Sequence, residues 1–201
     1  VGEPVHQLMG GVDGEGALAN PGHAVDRADL DDAAFLGDGG HQLLQARQRG
    51  APLAAASAVD VGELAAELVE LFEPVAAAHG VQLACEHEPQ ALVQGNRQLL
   101  AQLLTNLIEN GLKYVPAGGR SEVAVRRLAG SVRLVVSDNG PGIAAEDRAR
   151  AAQPFARFGP GKQEGSGLGL SLVAAIARLH RGRLELESNE PGLRVVVELP
   201  C

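Results

Sequence analysis

Two glycine-rich segments in the second half of the chain constrain its fold more than any other feature. The first reads SDNGPGI from Ser137 to Ile143, and the second reads GSGLGL from Gly165 to Leu170. The first follows an alternating apolar run typical of a strand, and the second opens an apolar pattern typical of a helix. Glycine lets a backbone turn sharply and approach another group closely. Together with the helical segment NLIENGLKY at Asn106–Tyr114, the two segments predict a single nucleotide-binding site.

Hydrophobic periodicity predicts an alternation of helices and strands from residue 60 onward. Asp60 is expected to cap a helix, with Glu63 completing a capping box and Gly80 ending it. The apolar stripe predicted for this helix consists of Leu64, Leu68, Leu71, Phe72 and Val75. The further predicted elements are strands at Val81–His87 and Ala91–Val93, a helix from Asn96 to Tyr114, a hairpin of Glu122–Leu128 and Ser131–Ser137, a helix from Leu168 to about His180, and strands at Arg183–Ser188 and Leu193–Leu199.

The first 50 residues differ from the rest of the chain. They are rich in glycine and aspartate and lack a sustained apolar period, which predicts a flexible segment. Residues 51–59 are Ala-rich and are interpreted as a linker. Residues 60–201 are interpreted as a single domain, because the predicted elements follow one another there without a break.

Charge and composition exclude several classes of function. The formal charge of −8 at pH 7 argues against a nucleic-acid partner, so phosphates would have to be held by local groups. Cys85 and Cys201 are interpreted as free thiols in a reducing compartment. No apolar run approaches the ~20 residues of a membrane helix, and there is no secretory signal. This part of the chain is therefore expected in the cytoplasm.

The helix from Asn96 to Tyr114 combines an apolar face with an unusual polar face. The polar face consists of Gln102, Asn106, Glu109, Asn110 and Lys113. Asparagine is a poor helix former, but its amide oxygen is a suitable hard ligand for Mg2+. A lysine one turn further can reach a phosphate oxygen. The alternative is an ordinary amphipathic helix with a surface pair of Glu109 and Lys113.

Asp138 lies at the predicted end of a strand, directly before a glycine-rich turn. Its carboxylate can accept a hydrogen bond from an exocyclic amine, while Gly140 and Gly142 let the backbone approach a flat base. This arrangement would recognise adenine. The alternative is a plain turn, since aspartate, asparagine, glycine and proline are all turn residues.

The second glycine segment is predicted to hold phosphate, because a glycine loop at a helix N-terminus presents free N–H groups to an anion. A flexible linker is the alternative, but the apolar residues that follow are too periodic for one. The segment lacks the lysine of a P-loop and the preceding strand of a Rossmann turn. Residues 154–164 are interpreted as a short mobile lid anchored by Phe155 and Phe158, or as a plain surface loop.

The order and spacing of these motifs make residues from about 60 to 200 resemble the ATP-binding domain of bacterial sensor histidine kinases. That domain belongs to an ATPase superfamily shared with DNA gyrase and a heat-shock chaperone. Asn106–Tyr114 resembles the asparagine box, Ser137–Ile143 and Gly165–Leu170 the two glycine boxes, and Phe155–Phe158 the phenylalanine box. The implied fold is α/β, a two-layer sandwich with a mixed β-sheet covered on one face by helices (Bergerat-type ATPase).

The resemblance also implies roles for individual residues. The expected binding residues are Asn106, Asn110 and Lys113 at the phosphates, Tyr114 near the base, Asp138, Gly140, Gly142 and Ile143 around adenine, and Gly165, Gly167, Leu168, Gly169 and Leu170 in the phosphate loop. Asn110 is the expected ligand of Mg2+. Glu109, Asn110 and Lys113 are the expected catalytic residues, with Glu109 assisting proton removal from the acceptor. Gly111 departs from the family, which usually has alanine there.

The implied activity is that of a two-component sensor histidine kinase, which binds Mg-ATP and transfers the γ-phosphoryl group to a histidine. His6, His23 and His41 all lack the acidic neighbour of the family's phosphoacceptor, so the acceptor is expected outside this sequence. Residues 1–50 are interpreted as a partial or degenerate dimerisation hairpin, because LLQARQRG resembles the end of its second helix.

The partners implied are ATP, a histidine-containing dimerisation hairpin of this or a partner chain, and the receiver domain of a response regulator. A homodimer is implied for the intact protein, and an inner-membrane anchor is left open. Two alternatives remain: an inactive ATP-binding regulatory module, motivated by the missing acceptor motif, and a serine kinase of the anti-sigma type.

Overall fold

The structure, a computed structural model, describes residues 56–153 and 167–201. The expectations for the N-terminal segment, for most of the linker, for the lid with Phe155–Phe158 and for Gly165 lie outside the described residues. The elements are β1 (Ser57–Asp60), α1 (Val61–Ala78), β2 (Gln82–His87), β3 (Leu92–Gly95), α2 (Arg97–Tyr114), β4 (Arg120–Leu128), β5 (Ser131–Asp138), α3 (Ala145–Ala151), α4 (Gly169–Leu179), β6 (Arg183–Ser188) and β7 (Leu193–Pro200).

The main sheet has five strands in the order β2-β4-β5-β7-β6. β2 pairs with β4 in parallel, and every other pairing in this sheet is antiparallel. In β4, β5 and β7 every second side chain lies on the face covered by α1, α2 and α4, and these side chains are buried. The opposite face carries charged residues. This is the predicted two-layer α/β sandwich with a mixed sheet, and the fold class is confirmed.

The central helix α2 forms because its leucines recur every three or four residues and share one face. The buried members of that face are Leu99, Leu100, Leu103, Leu104, Leu107, Ile108 and Leu112. Asn96 caps the helix, and its side-chain oxygen accepts a hydrogen bond from Leu99 N at 3.1 Å. Replacing fully buried Leu104 by alanine should cost about 2–5 kcal/mol, since the cavity cannot collapse completely. This packed face fixes the direction of the polar face opposite.

Two local predictions are corrected. Ser57–Val59, interpreted as linker, belong to β1, which pairs antiparallel with β3 and brings Val59 opposite Val93. Both valines are buried, so the strand is held by the core. In α1, Leu71 and Val75 of the predicted stripe are exposed, at 69% and 43%. Periodicity tells which residues share a side of a helix, but not how far the neighbouring elements extend along it.

The short helix α3 was not predicted. Its sequence, AEDRARA, has no apolar stripe, and only Ala151 is buried. Among all the helices formed by residues 56–153 and 167–201, none is both long enough and apolar enough to cross a bilayer.

Candidate functional site

Asn106 and Asn110 lie half-buried on the polar face of α2, one turn apart. The amide nitrogen of Asn106 donates to the Gln102 carbonyl at 2.8 Å, which leaves its oxygen directed away from the helix. Gly169, the first residue of α4, lies directly against both amides. A Cβ built on Gly169 would be 3.3 Å from Asn110 Nδ2 and 3.5 Å from Asn106 Oδ1. The structure thus brings the two predicted motifs together.

The N-terminus of α4 lies at this contact, and among the described residues no side chain caps it. Leu168 stands at the N-cap and no side chain caps the helix, so the first N–H groups have no acceptor within it. Gly167 has a φ of +70°, a conformation that glycine adopts without strain. The helix dipole adds partial positive charge at this end. Amide oxygens and uncapped N–H groups therefore meet in one place, which suits a phosphate and its cation.

Asp138 occupies the end of β5, as predicted, and its carboxylate is held in place by two backbone donors. Oδ1 accepts from Gly140 N at 2.8 Å and from Leu193 N at 3.3 Å. Oδ2 accepts no hydrogen bond from the described residues and remains for a ligand. Burial raises the pKa of the Asp138 carboxyl, and the hydrogen bonds from Gly140 and Leu193 oppose that rise. The group is oriented to accept a hydrogen bond from an amine.

The turn between β6 and β7 closes the other side of Asp138. Asn189 donates from its side chain to the Asp138 carbonyl at 2.7 Å. Gly192, with a φ of +118°, lies so close that a built Cβ would be 1.8 Å from the same oxygen. A Cβ on Gly142 would in turn be 2.6 Å from the Gly192 carbonyl. Sequence reasoning missed Asn189 and Gly192, because the turn they form gave no sign of which loop it would contact.

The remaining predicted residues surround this centre. Gly140 packs against the Tyr114 carbonyl, where a built Cβ would be only 3.0 Å away. Lys113 and Tyr114 are exposed, and Lys113 Nζ lies 5.3 Å from the centre of the Tyr114 ring. The ammonium group thus lies over the ring. Ile143 is half-buried, and its carbonyl accepts from Arg148 Nε at 3.0 Å.

Glu109 is half-buried on the same face as the asparagines. Burial raises the pKa of its carboxyl. Within the described part of the chain it forms no ion pair with Lys113, so the surface pair considered from the sequence is not formed. Leu170, predicted as part of the phosphate loop, is half-buried and packs against the core.

The donor set favours a cation shared with a ligand over a cation held by protein alone. Residues 56–153 and 167–201 contain no group of three histidine, cysteine, aspartate or glutamate residues that could hold a metal ion. Asn110 offers an amide oxygen, which magnesium accepts when the other ligands are phosphate oxygens and water. The residues present fit a magnesium ion that arrives with a phosphorylated ligand.

Comparisons with known proteins agree with this geometry. The family described as histidine kinase-, DNA gyrase B-, and HSP90-like ATPase matches residues 95–201. The histidine protein kinase DivJ of Caulobacter vibrioides is 42% identical over 125 residues, which cover 60% of this chain and 21% of DivJ. The sensor protein CutS of Streptomyces coelicolor is 35% identical over 147 residues, covering 71% of this chain and 35% of CutS. The chain therefore spans only a fifth to a third of these relatives.

Solved structures show the same fold. The catalytic domain of the histidine kinase ThkA superposes with a TM-score of 0.67 at 26% identity, covering 73% of this chain and 98% of that domain. Full-length ShkA in complex with AMPPNP superposes with a TM-score of 0.66 at 27% identity, covering 86% of this chain and 38% of ShkA.

Proposed function

The chain belongs to the family of histidine kinase-, DNA gyrase B- and HSP90-like ATPases, and we propose that it is the catalytic region of a two-component sensor histidine kinase. In this role it binds Mg-ATP and transfers the γ-phosphoryl group to a histidine. The observation that carries the proposal is the contact of Gly169 with the amides of Asn106 and Asn110. That contact joins a phosphate-binding helix end to a magnesium ligand.

Adenine recognition is assigned to Asp138. Its Oδ2, which accepts no hydrogen bond from the described residues, accepts the exocyclic amino group, while Oδ1 stays bonded to Gly140 and Leu193. Gly140, Gly142 and Ile143 line the pocket, and Tyr114 lies at its edge. A guanine base would present a carbonyl oxygen where adenine has its amine, and the carboxylate would repel it. The pocket should therefore prefer adenine nucleotides.

Phosphate binding is assigned to the first turn of α4 and to the polar face of α2. Gly165, Gly167 and Gly169, with Leu168 and Leu170 between and after them, supply backbone N–H groups, and Asn106 and Lys113 contact phosphate oxygens. Asn110 would hold Mg2+, which when bound neutralises charge on the phosphates. Lys113 would leave the Tyr114 ring to reach a phosphate.

Glu109 is proposed to assist proton removal from the acceptor histidine. Burial raises the pKa of its carboxyl, and a higher pKa makes a carboxylate a better base. The acceptor itself is proposed to lie on a dimerisation hairpin, either upstream in the same protein or in a partner chain of a homodimer. The phosphoryl group would pass from there to the receiver domain of a response regulator.

Replacing Asn110 by alanine tests the metal-ligand assignment, because alanine removes the side-chain oxygen. The full chain is incubated with γ-labelled ATP and magnesium, with and without a supplied histidine-containing hairpin. Asn110→Ala should abolish labelling, whereas Gln98→Ala, the same removal of an amide at an exposed position of α2, should not. An unchanged transfer rate in Asn110→Ala removes Asn110 from the metal site.

The label on the product separates the proposed kinase from its two rivals. Phosphohistidine is labile to acid and stable to alkali, and phosphoserine behaves in the opposite way. Acid-stable label would indicate the serine kinase of the anti-sigma type. Tight ATP binding without any transfer, with every hairpin supplied, would indicate the regulatory module.

A further inference from the structure

Helices α2 and α4 touch at both ends of their contact. At one end Gly169 lies against Asn106 and Asn110, and at the other the side chain of His180 reaches Asn96. The two helices therefore run antiparallel. A rise of about 1.5 Å per residue gives about 16 Å from Gly169 to His180 and about 15–21 Å along α2 between the matching residues. His180 thus bonds the two helices at the end opposite to the nucleotide site.

The hydrogen bonds of His180 define its protonation state. Asn96 N–H donates to Nε2 at 3.1 Å, so Nε2 must be an acceptor. Nδ1 lies 2.8 Å from the Ile176 carbonyl, so it must carry the proton and donate. Only the neutral imidazole with its proton on Nδ1 satisfies both partners. Because His180 is only 4% exposed, bulk water has little access to replace either bond.

Gly95 shows how closely the backbone before α2 fits the imidazole. A Cβ built on Gly95 would lie 2.5 Å from His180 Cδ2 and 2.6 Å from Nε2. Because Gly95 is not in the left-handed region, the imidazole, rather than backbone strain, requires glycine here. The ring is clamped between the start of α2 and the end of α4.

We propose that His180 is a positioning residue for the nucleotide site, fixing α4 along α2 so that Gly169 stays in contact with Asn106 and Asn110. The inference rests on the proposed function, because it is the bound phosphate that makes this contact matter. A shift of α4 by a fraction of its pitch would move the uncapped N–H groups away from the asparagine amides. His180 touches no nucleotide and acts only through the placement of α4.

Protonation should release this bond. A protonated Nε2 would face the Asn96 N–H with a second donor. Burial lowers the pKa of His180 and the bond to Ile176 opposes that, while no charged side chain contributes. On the surrounding elements, Arg178 and Arg181 are exposed, Arg97 pairs with Glu67, and Arg183 pairs with Glu198. A lowered folded-state pKa means that the bond stabilises fully above the ordinary value of 6.5, and that it is lost as pH falls through the lower folded-state value.

Two substitutions of His180 distinguish its hydrogen bond to Asn96 on α2 from its hydrogen bond to Ile176 within α4. His180→Gln places an amide oxygen where Nε2 lies and can still accept from Asn96. His180→Asn places an amide nitrogen where Nδ1 lies and keeps only the bond within α4. The dissociation constant of AMPPNP with magnesium is measured by calorimetry on the full chain, from pH 5.5 to 8.0, together with the melting temperature.

At pH 7.5 the glutamine variant should bind like wild type, and the asparagine variant about 2- to 10-fold more weakly, the equivalent of one hydrogen bond. As pH falls through the lowered pKa of His180, wild-type affinity should fall relative to the glutamine variant, which experiences the same titration of the nucleotide. The comparison of wild type with the glutamine variant tests the positioning role of His180 even if the asparagine variant does not fold.

Two outcomes overturn the inference. If wild type binds the nucleotide and both variants bind it equally tightly at every pH, His180 only stabilises the core. That result would leave the proposed function intact. A wild-type chain that does not bind the nucleotide at pH 7.5 would overturn the proposed function, and this inference with it.

Discussion

Gly111 on α2 faces Ser121 on β4 with no room for a side chain between them. A Cβ built on Gly111 would lie 2.5 Å from Ser121 Oγ and 3.2 Å from its Cβ. Ser121 is 1% exposed, and its hydroxyl has no hydrogen-bond partner among the described residues. It also lies directly opposite Asp138 in the pairing of β4 with β5. The departure of Gly111 from the family's usual alanine thus has a steric cause in this chain.

Replacing Gly111 by alanine should destabilise the protein despite alanine's better helix propensity. The helix gains about 1 kcal/mol, but overpacking against the hydroxyl costs about 1–3 kcal/mol. Ser121→Ala alone should stabilise by about 1 kcal/mol, because it removes a buried unpaired hydroxyl. In that background Gly111→Ala should be neutral or stabilising. Urea denaturation of the four proteins measures the coupling, and additive effects would contradict the steric explanation.

Asp138→Asn should weaken ATP binding by about 5- to 150-fold, with little change in stability. The asparagine oxygen can still accept from Gly140 and Leu193, so the loop keeps its geometry. The other amide atom then presents a donor to the amino group of adenine, which leaves two donors facing each other at a cost of about 1–3 kcal/mol.

Calorimetric titration with ATP measures the effect of Asp138→Asn, and Glu122→Gln, an acid-to-amide change at an exposed position of β4, is the matched control. Retention of full affinity in Asp138→Asn, with the control also unchanged, would remove Asp138 from adenine recognition.

The sequence predicted α2 and β5 to within a residue or two, because their signals are local. Asn96 is a cap and the leucine spacing is helical, while Val132, Leu134 and Val136 alternate. The strand order was not predictable, since pairing depends on contacts between distant segments. For the same reason neither the bond between His180 and Asn96 nor the contact of Asn189 with Asp138 had any signal in the sequence. The site was predicted as a set of motifs, and only the fold shows which of their atoms meet.

Gly169→Ala should reduce ATP affinity several-fold while raising the stability of the fold. The new Cβ would lie 3.3 Å from the Asn110 amide, tight enough to displace it by a few tenths of an ångström. Alanine at the first helical position should favour α4 by up to about 1 kcal/mol. A higher melting temperature together with a lower ATP affinity would show that glycine at position 169 serves the binding site and not the stability of the fold. If affinity is retained, the Gly169 contact does not position Asn110 for binding.

Glu198 on β7 should make the outer face of the sheet sensitive to acid. The Ser131 hydroxyl donates to its carboxylate at 3.0 Å, and this bond, together with Arg133 and Arg183, lowers the pKa of Glu198 below its ordinary 4.5. A depressed pKa means that the stabilisation is fully present above pH 4.5 and is lost as pH falls through the folded-state value.

Glu198→Gln should therefore be less stable than wild type at pH 6, and the difference should shrink steadily toward pH 3. Urea midpoints across this range measure the change, and Ser131→Ala should show a smaller loss with the same pH trend, because it removes only the leading cause of the shift. A stability difference between wild type and Glu198→Gln that does not vary with pH would mean that the carboxylate contributes packing and not charge.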